Sequence, residues 1–297
     1  MKKSLLLFAL LATVAIAGAQ PNVDVFTENL KFCEGTTPYK GMMLVSNFGC
    51  DELDPLNNKG KGYIAAFDEE GFRKIFIKND GYLSAPKGMR VVNNRLFIAD
   101  VNKVVVYDLE RVNYSTPTVV EMPAGEAFVN DITNIGDLVI VSVTNTGNIY
   151  GINAPKGSIG KPQLLGSVTG ANGMVVNGNM LYVASYNPSG KPDESNVIYS
   201  IDLTAAQPQA EKLIPNLPMG MYDGIALSED GETLYFTSWI GGAKGKGALY
   251  KWKVDGSEKY QLIDIGFDLS GPADISIKDG FLYLPDLVES RLYKIEL

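Results

Sequence analysis

Short stretches in which apolar and polar residues alternate recur along the chain, and no stretch after residue 20 shows the period of a long helix. In "ANGMVVNGNMLYVASY", which starts at Ala171, two such stretches flank Asn177-Gly178, a dipeptide typical of tight hairpin turns. The same order of strand, turn and aromatic-rich second strand occurs in six segments. These segments start at Cys33, Pro86, Val129, Ala171, Tyr222 and Pro272. The pattern predicts a chain built from repeated β-hairpins.

Six units of roughly 46 residues, each with about four short strands, account for the chain after residue 19. We therefore predict an all-β fold, a six-bladed β-propeller with four antiparallel strands in each blade. A β-sandwich is the alternative, but it does not explain the repeat. The last unit ends at Leu297 with only three strands. We expect the N-terminal stretch Val23–Phe26 to supply the fourth and close the ring, rather than to form a loose tail.

The first residues have the order of a secretory signal peptide: two lysines, an apolar stretch, and small residues up to Ala19. We expect residues 1–19 to be removed, leaving a single propeller domain over residues 20–297. The alternative, an N-terminal membrane anchor, is disfavoured because the apolar stretch is short and ends in small residues. This predicts a periplasmic or extracellular protein that is not inserted in a membrane after cleavage.

Composition narrows the chemistry that this chain can perform. The chain has 34 acidic and 26 basic residues and a net charge of −8, so it lacks the excess of positive charge that nucleic-acid binding requires. The chain has no histidine, which excludes a Ser-His-Asp triad, a Cys-His pair, imidazole-bound zinc and a histidine base. Carboxylates, amides, hydroxyls, lysine or an oxygen-bound metal remain. The two cysteines, Cys33 and Cys50, form either a disulfide or two small buried residues.

One position recurs in all six units, and in the last five it lies two residues before an apolar residue of the first strand. Its occupants are Glu34, Lys87, Asn130, Asn172, Asp223 and Ala273. Innermost propeller strands run along a central channel and begin at one mouth, so these side chains are expected to converge there. Four of them carry oxygen ligands suited to a hard cation, most simply Ca²⁺, with Mg²⁺, Mn²⁺ or Zn²⁺ as alternatives. Any one of these residues alone is equally typical of a turn.

Four motifs in this order resemble the senescence-marker-protein/gluconolactonase (regucalcin-like) family. They are "EGTTPY" at Glu34, "FVND" ending at Asp131, "NGMVV" at Asn172 and "DGIAL" at Asp223. The resemblance covers nearly the whole chain after the signal peptide. It implies a six-bladed propeller that binds one divalent cation in its channel and hydrolyses lactones or esters.

The resemblance also implies roles for individual residues. Glu34, Asn172 and Asp223 would be the metal ligands, and Asn130 a fourth ligand or a substrate contact. The lactonases of the family place an arginine two residues before that asparagine, whereas this chain has Phe128. The difference predicts a less polar or differently shaped substrate than gluconolactone.

The function predicted is an exported, metal-dependent hydrolase of a lactone, an ester or a sugar derivative. The cation would polarise the substrate carbonyl, while Asp223 steers or deprotonates a water molecule. Lys87 would pair with a developing or product carboxylate, or alternatively form a salt bridge to Glu34 or Asp223. The other hypothesis is a non-catalytic propeller that binds a protein or glycan and uses the cation only structurally.

Three long loops are expected to leave the same face of the propeller as this channel mouth. They start at Asn47, Tyr186 and Trp239. We expect Tyr186 and Trp239 to offer ring-stacking surfaces to a substrate, unless these segments are only solvated loops.

Overall fold

The protein is described by a computed structural model over residues 20–112, 115–242 and 245–297. The predicted signal peptide, residues 1–19, lies outside the described residues. Within those ranges the chain forms 24 β-strands and no α-helix. Accordingly, the described part of the chain has no helix long and apolar enough to cross a membrane. The strands form six antiparallel sheets of four strands each, which confirms the predicted six-bladed propeller.

Each of the first five blades consists of four strands that follow one another in the chain. Strand β1 (Val23–Phe26) belongs to the sixth blade. The first blade comprises β2 (Cys33–Tyr39), β3 (Met42–Asn47), β4 (Tyr63–Asp68) and β5 (Gly71–Ile77). The second comprises β6 (Pro86–Val92), β7 (Arg95–Asp100), β8 (Lys103–Asp108) and β9 (Thr118–Glu121). The third comprises β10 (Val129–Ile135), β11 (Leu138–Val143), β12 (Asn148–Asn153) and β13 (Gln163–Ser167).

The remaining blades repeat this order with shorter outer strands. The fourth blade comprises β14 (Ala171–Asn177), β15 (Met180–Ser185), β16 (Ile198–Asp202) and β17 (Ala210–Lys212). The fifth comprises β18 (Tyr222–Leu227), β19 (Thr233–Ser238), β20 (Ala248–Lys253) and β21 (Gln261–Leu262). The sixth comprises β22 (Ser276–Lys278), β23 (Phe281–Asp286), β24 (Arg291–Glu296) and the N-terminal β1.

The predicted closing strand is confirmed. Strand β1 pairs antiparallel with β24, from Val23 opposite Ile295 to Phe26 opposite Leu292. The first strand of the described chain thus completes the sheet that contains the last one, and the edge of β24 is covered.

Two-residue turns join the inner two strands of every blade except the fifth, where residues 228–232 connect them. The Asn93-Asn94 and Asp279-Gly280 turns have positive φ at both residues, between 50° and 77°. Asparagine, aspartate and glycine are the residues that tolerate this conformation, which explains the turn dipeptides of the sequence.

Between the blades of the described chain lie six apolar core clusters, one between each pair of neighbouring blades. Phe97 of the second blade, for example, packs in the same cluster as Val141 of the third. Each sheet is therefore apolar on both faces, and every blade is held by its two neighbours.

Candidate functional site at one mouth of the channel

The recurring position lies where the sequence predicts it, at the start of the inner strands. In the first five blades it is the second residue of β2, β6, β10, β14 and β18. In the sixth blade Ala273 precedes β22 and is fully buried. The ring of inner strands closes where the backbone N–H of Asp274 donates to the carbonyl of Glu34 at 3.1 Å. Glu34, Asn130, Asn172 and Asp223 are therefore carried by four inner strands of one closed ring.

A β-bulge lies at this position in each of the first five blades. In the first blade, pairing with β3 stops at Cys33 and resumes at Thr36, so that Glu34 and Gly35 lie outside the regular ladder. The hydroxyl of Ser46 accepts the N–H of Gly35 at 2.7 Å instead. A bulge bends the strand and re-aims its side chains, which is how the strand can direct one polar residue towards the channel.

The residue after the recurring position is glycine in four blades because neighbouring inner strands approach very closely there. A Cβ on Gly173 would overlap the carbonyl oxygen of Asp223, and one on Gly35 would overlap that of Lys87. The glycines therefore allow the backbone of one blade to contact the recurring position of the next.

The four predicted ligands share an uncommon feature. Each is at least 95% buried and has one side-chain oxygen with no hydrogen-bond partner among the described residues. These atoms are Glu34 Oε2, Asn130 Oδ1, Asn172 Oδ1 and Asp223 Oδ1. Buried polar atoms are nearly always hydrogen-bonded, so four unpartnered oxygens from four blades at one channel mouth require an explanation.

Burial and the charges of neighbouring carboxylates raise the pKa values of Glu34 and Asp223. Burial and then the charge of Asp223 raise the pKa of Glu34 well above its usual value. The pKa of Asp223 is raised to about 7, by burial first and then by the charge of Asp131, while a hydrogen bond from Trp239 opposes the rise. Removal of solvent and mutual repulsion both disfavour the charged forms, and a cation would relieve both effects.

Trp239 contacts the predicted ligand Asp223 directly. Its indole Nε1–H donates to Asp223 Oδ2 at 2.5 Å, and its ring packs edge-on against Tyr186 at 5.9 Å between centroids. Trp239 therefore positions one Asp223 oxygen and leaves the other unpartnered. The role of both rings as stacking surfaces for a substrate stays a prediction.

Lys87 is 1% exposed, and its Nζ donates to the carbonyls of Pro55 and Ala85 at 2.8 and 2.9 Å. The alternative expectation of a salt bridge to Glu34 or Asp223 is not observed, because these two carbonyls hold the ammonium. The nitrogen also lies over the rings of Phe48 and Phe128, at 5.5 and 5.2 Å from their centroids. Burial lowers the pKa of Lys87, while Glu34 and Asp100 act in the opposite direction.

An apolar cluster covers this mouth. It contains Phe48, Cys50, Ala85, Ala273 and Leu287, and Phe32, Val101 and Trp239 pack against it. The loop after Asn47, predicted to leave at this face, does so and supplies Phe48, Cys50 and the Pro55 carbonyl. The cysteines are both free and buried, which agrees with two small core residues rather than a disulfide.

Two further acids of the channel, Asp131 and Asp274, are not among the predicted ligands. Both occupy the position that is glycine in the other four blades. Among the described residues, no group of three or more His, Cys, Asp or Glu side chains is arranged to hold a metal ion. Any cation in the channel must therefore combine few carboxylates with carboxamide, carbonyl or water oxygens.

Comparisons with known proteins agree on the fold. No protein-family model and no curated protein matches the chain. The structure is similar to a gluconolactonase from Xanthomonas campestris, with 13% identity, a TM-score of 0.66, and 93% of this chain and 90% of that chain covered. It is similar to a luciferin-regenerating enzyme, with 13% identity, a TM-score of 0.63 and coverages of 93% and 95%. A chain of a nidogen/laminin complex matches with 12% identity, a TM-score of 0.56 and coverages of 77% and 83%.

At 12–13% sequence identity, these similarities show a shared fold and nothing more. The chain is a six-bladed β-propeller, similar in architecture to the two enzymes and also to the chain of the nidogen/laminin complex.

Proposed function

We propose that this protein is an exported, divalent-cation-dependent hydrolase that acts on a lactone or ester at this mouth of the channel. The observation that carries the proposal is the set of four buried, unpartnered oxygens contributed by four blades. The architecture shared with a gluconolactonase supports the same class of reaction.

The side chains present fit a hard cation. Glu34 and Asp223 supply negative charge, Asn130 and Asn172 supply neutral oxygens, and no sulfur or imidazole is involved. Calcium accepts six to eight oxygens in flexible geometry, so water or substrate oxygens would complete the set. A cation held here would stabilise negative charge that develops on the substrate carbonyl and would acidify a bound water.

The chain's own groups would orient the reactants and manage charge. Asp223, fixed through Oδ2 by Trp239, presents Oδ1 for steering an attacking water and receiving its proton. Lys87, with its ammonium held by two carbonyls, keeps one N–H for a carboxylate that forms as the ester bond breaks.

The surroundings of Lys87 indicate a substrate with an apolar part. Phe48 and Phe128 flank the ammonium, and no arginine stands at position 128. A substrate must displace part of the covering apolar cluster, most directly the loop that carries Phe48. An aryl or alkyl ester, or a lactone with an apolar substituent, matches this lining better than an unsubstituted sugar lactone.

The test is an assay of γ- and δ-lactones and aryl esters on protein treated with a chelator and then given Ca²⁺ or Mg²⁺. We expect activity only with a cation, and a fall of about 10²-fold or more in Asp223→Ala and Asn172→Ala. Asn177→Ala is the matched control, because Asn177 lies at the other end of the same inner strand. Its activity should stay close to that of the wild type.

Full activity in Asp223→Ala would refute the mechanism. A protein that gains stability with Ca²⁺ but hydrolyses none of these substrates would instead be a binding propeller with a structural cation. The two results are separated by one thermal unfolding experiment run beside the assay.

A further inference from the structure

A second pair of acids lies one residue deeper in the channel than the predicted ligands. The position after each predicted ligand is glycine in the first, second, fourth and fifth blades, and aspartate in the third and sixth. The third and sixth blades are opposite each other in a ring of six. Asp131 and Asp274 therefore face the channel from opposite sides, and the charge of Asp131 raises the pKa of Asp274, after the larger effect of burial.

Asp274 has the more unusual surroundings. The residue is only 6% exposed, and neither carboxylate oxygen has a hydrogen-bond partner in the part of the chain that the structure describes. Its backbone, in contrast, is fixed: the N–H donates to the Glu34 carbonyl, and the carbonyl accepts from the Thr36 hydroxyl at 3.2 Å. A buried carboxylate without any donor is strongly unfavourable unless a positive group compensates for it.

Asp131 is held in place but retains acceptor capacity. Its Oδ1 accepts the N–H of Ile132 at 2.7 Å, and its Oδ2 accepts the N–H of Met174 at 2.6 Å. Each carboxylate oxygen has a second lone-pair direction that remains available. The absence of a side chain on Gly88 gives Asp131 its space, because a Cβ there would overlap Asp131 Oδ1.

Both acids line one cavity of about 260 Å³ that opens at the opposite mouth of the channel from the predicted active site. Among the described residues that line it, Arg90 is the one with a basic side chain, and its Nε donates to Asn134 rather than to either acid. Other lining groups include the hydroxyl side chains of Thr133 and Ser276. A liquid-like water needs about 30 Å³, so the cavity has room for several waters around an ion.

We propose that Asp131 and Asp274 bind a second, partly hydrated divalent cation at the floor of this cavity. Two carboxylates balance its charge, and water from the cavity supplies the remaining oxygens. Magnesium is commonly bound in this way, through one or two carboxylates with several waters retained, and calcium accepts the same oxygens. The site uses neither Glu34, Asn130, Asn172 nor Asp223, so it stands independently of the proposed hydrolase function.

The first experiment counts bound ions. Protein freed of metal with a chelator is titrated with CaCl₂ and, separately, MgCl₂, and the stoichiometry is measured by calorimetry and elemental analysis. We expect two ions per wild-type chain, one in Asp274→Asn, and one in the double variant Glu34→Gln/Asp223→Asn. Glu126→Gln is the control, because Glu126 is also buried but accepts hydrogen bonds from Thr146, Asn148 and Tyr150.

The second experiment uses stability. Without a cation, Asp274→Asn should unfold at a temperature equal to or above that of the wild type, because it removes an uncompensated buried charge. With millimolar Ca²⁺ or Mg²⁺, the unfolding temperature of the double variant Glu34→Gln/Asp223→Asn should rise by several degrees. When Asp274→Asn is added to that double variant, the cation should no longer raise its unfolding temperature. Asp274→Gly, which introduces the residue of four other blades, provides the same comparison if the asparagine variant folds poorly.

The outcomes separate the two proposals. The second site would be overturned if the wild type bound one ion and Asp274→Asn still bound it. It would also be overturned if Asp274→Asn lost both of the ions that the wild type binds. One ion that is lost only in Asp274→Asn would support the second site and contradict the cation site of the proposed hydrolase.

Discussion

At the scale of single residues, the channel mouth combines full burial with incomplete hydrogen bonding. Asp223 shows the conflict most clearly: Trp239 donates to one oxygen, the other has no partner, and the pKa is raised to about 7, chiefly by burial. A folded-state pKa above that of the unfolded chain means that the folded protein binds the proton more tightly. Without a cation, ionised Asp223 therefore destabilises the fold.

The pH dependence of unfolding tests this conflict. In the presence of a chelator, we expect the wild type to lose stability relative to Asp223→Asn as the pH rises from about 4 to about 7, by at most about 1.4 kcal/mol per pH unit. The amide cannot ionise, so the difference isolates the titration of this carboxyl. The free energies are measured by urea unfolding at several pH values.

Glu126→Gln is a control for which the change in stability with pH should have the opposite sign. Burial raises the pKa of Glu126, but hydrogen bonds from Thr146, Tyr150 and Asn148 together lower it more, and the pKa falls below its usual value. The wild type should therefore gain stability relative to Glu126→Gln as the pH rises through about 4.5. If the difference in free energy of unfolding from the wild type changed with pH equally for Asp223→Asn and Glu126→Gln, ionised Asp223 could not be the source of the destabilisation.

Which of these residues a sequence can reveal depends on their spacing. Glu34, Asn130, Asn172 and Asp223 could be predicted together because the repeat places one residue of each blade at the same strand position. The contacts of Trp239 and Lys87 could not, because their partners lie in loops whose course the repeat does not specify. Asp131 and Asp274 stand where four other blades have glycine, but only the structure shows that the Asp274 side chain lacks a partner among the described residues.

At the scale of strands, the bulge and its glycine determine how the site is assembled. In the first five blades the bulge removes two residues of the inner strand from the ladder. Where the second of them is glycine, as at Gly173, the next blade can approach that backbone closely. The alternating pattern predicts the strands and their turns but not the bulge, because one additional residue leaves no clear mark in a period of two. The close approach at Gly173 is therefore a structural finding.

Replacement of Gly173 tests this close approach. A Cβ there would overlap the Asp223 carbonyl, a backbone atom that cannot rotate away. We expect Gly173→Ala to lower the free energy of unfolding by about 1–3 kcal/mol and to weaken cation binding, since it separates Asn172 from Asp223. Calorimetric unfolding and cation titration measure the two effects.

Gly166 provides the matched control. It lies in the outer strand β13 of the third blade, where φ is not positive and no atom lies within 4 Å of the place that an alanine methyl group would occupy. Gly166→Ala should change stability by no more than about 0.5 kcal/mol and leave cation binding unchanged. A loss in Gly166→Ala as large as that in Gly173→Ala would show that strand glycines matter for another reason.

At the scale of the whole molecule, the ring of blades depends on its closure. Each blade buries both faces against its neighbours, so the first and sixth blades must also be joined. Strand β1 does this through the backbone of β24 and through Phe26, whose ring lies 5.7 Å from that of Phe67 in the first blade. The missing fourth strand of the last repeat was enough to predict this arrangement, because an uncovered β24 would leave an exposed edge.

Removal of the closing strand is the corresponding prediction. A chain that starts at Thr27 lacks every β1 contact and also the hydrogen bond from the Glu296 N–H to the carbonyl of Asn22, the residue before β1. We expect a fall in unfolding temperature of several degrees and concentration-dependent association through the free edge of β24, measured by calorimetry and size-exclusion chromatography. Val25→Thr is the control, because that side chain is 49% exposed and the substitution keeps the strand's backbone pairing. If the shortened chain stayed monomeric and unfolded at the wild-type temperature, closure would have to reside in the contacts of β2 with β22 and β23 instead.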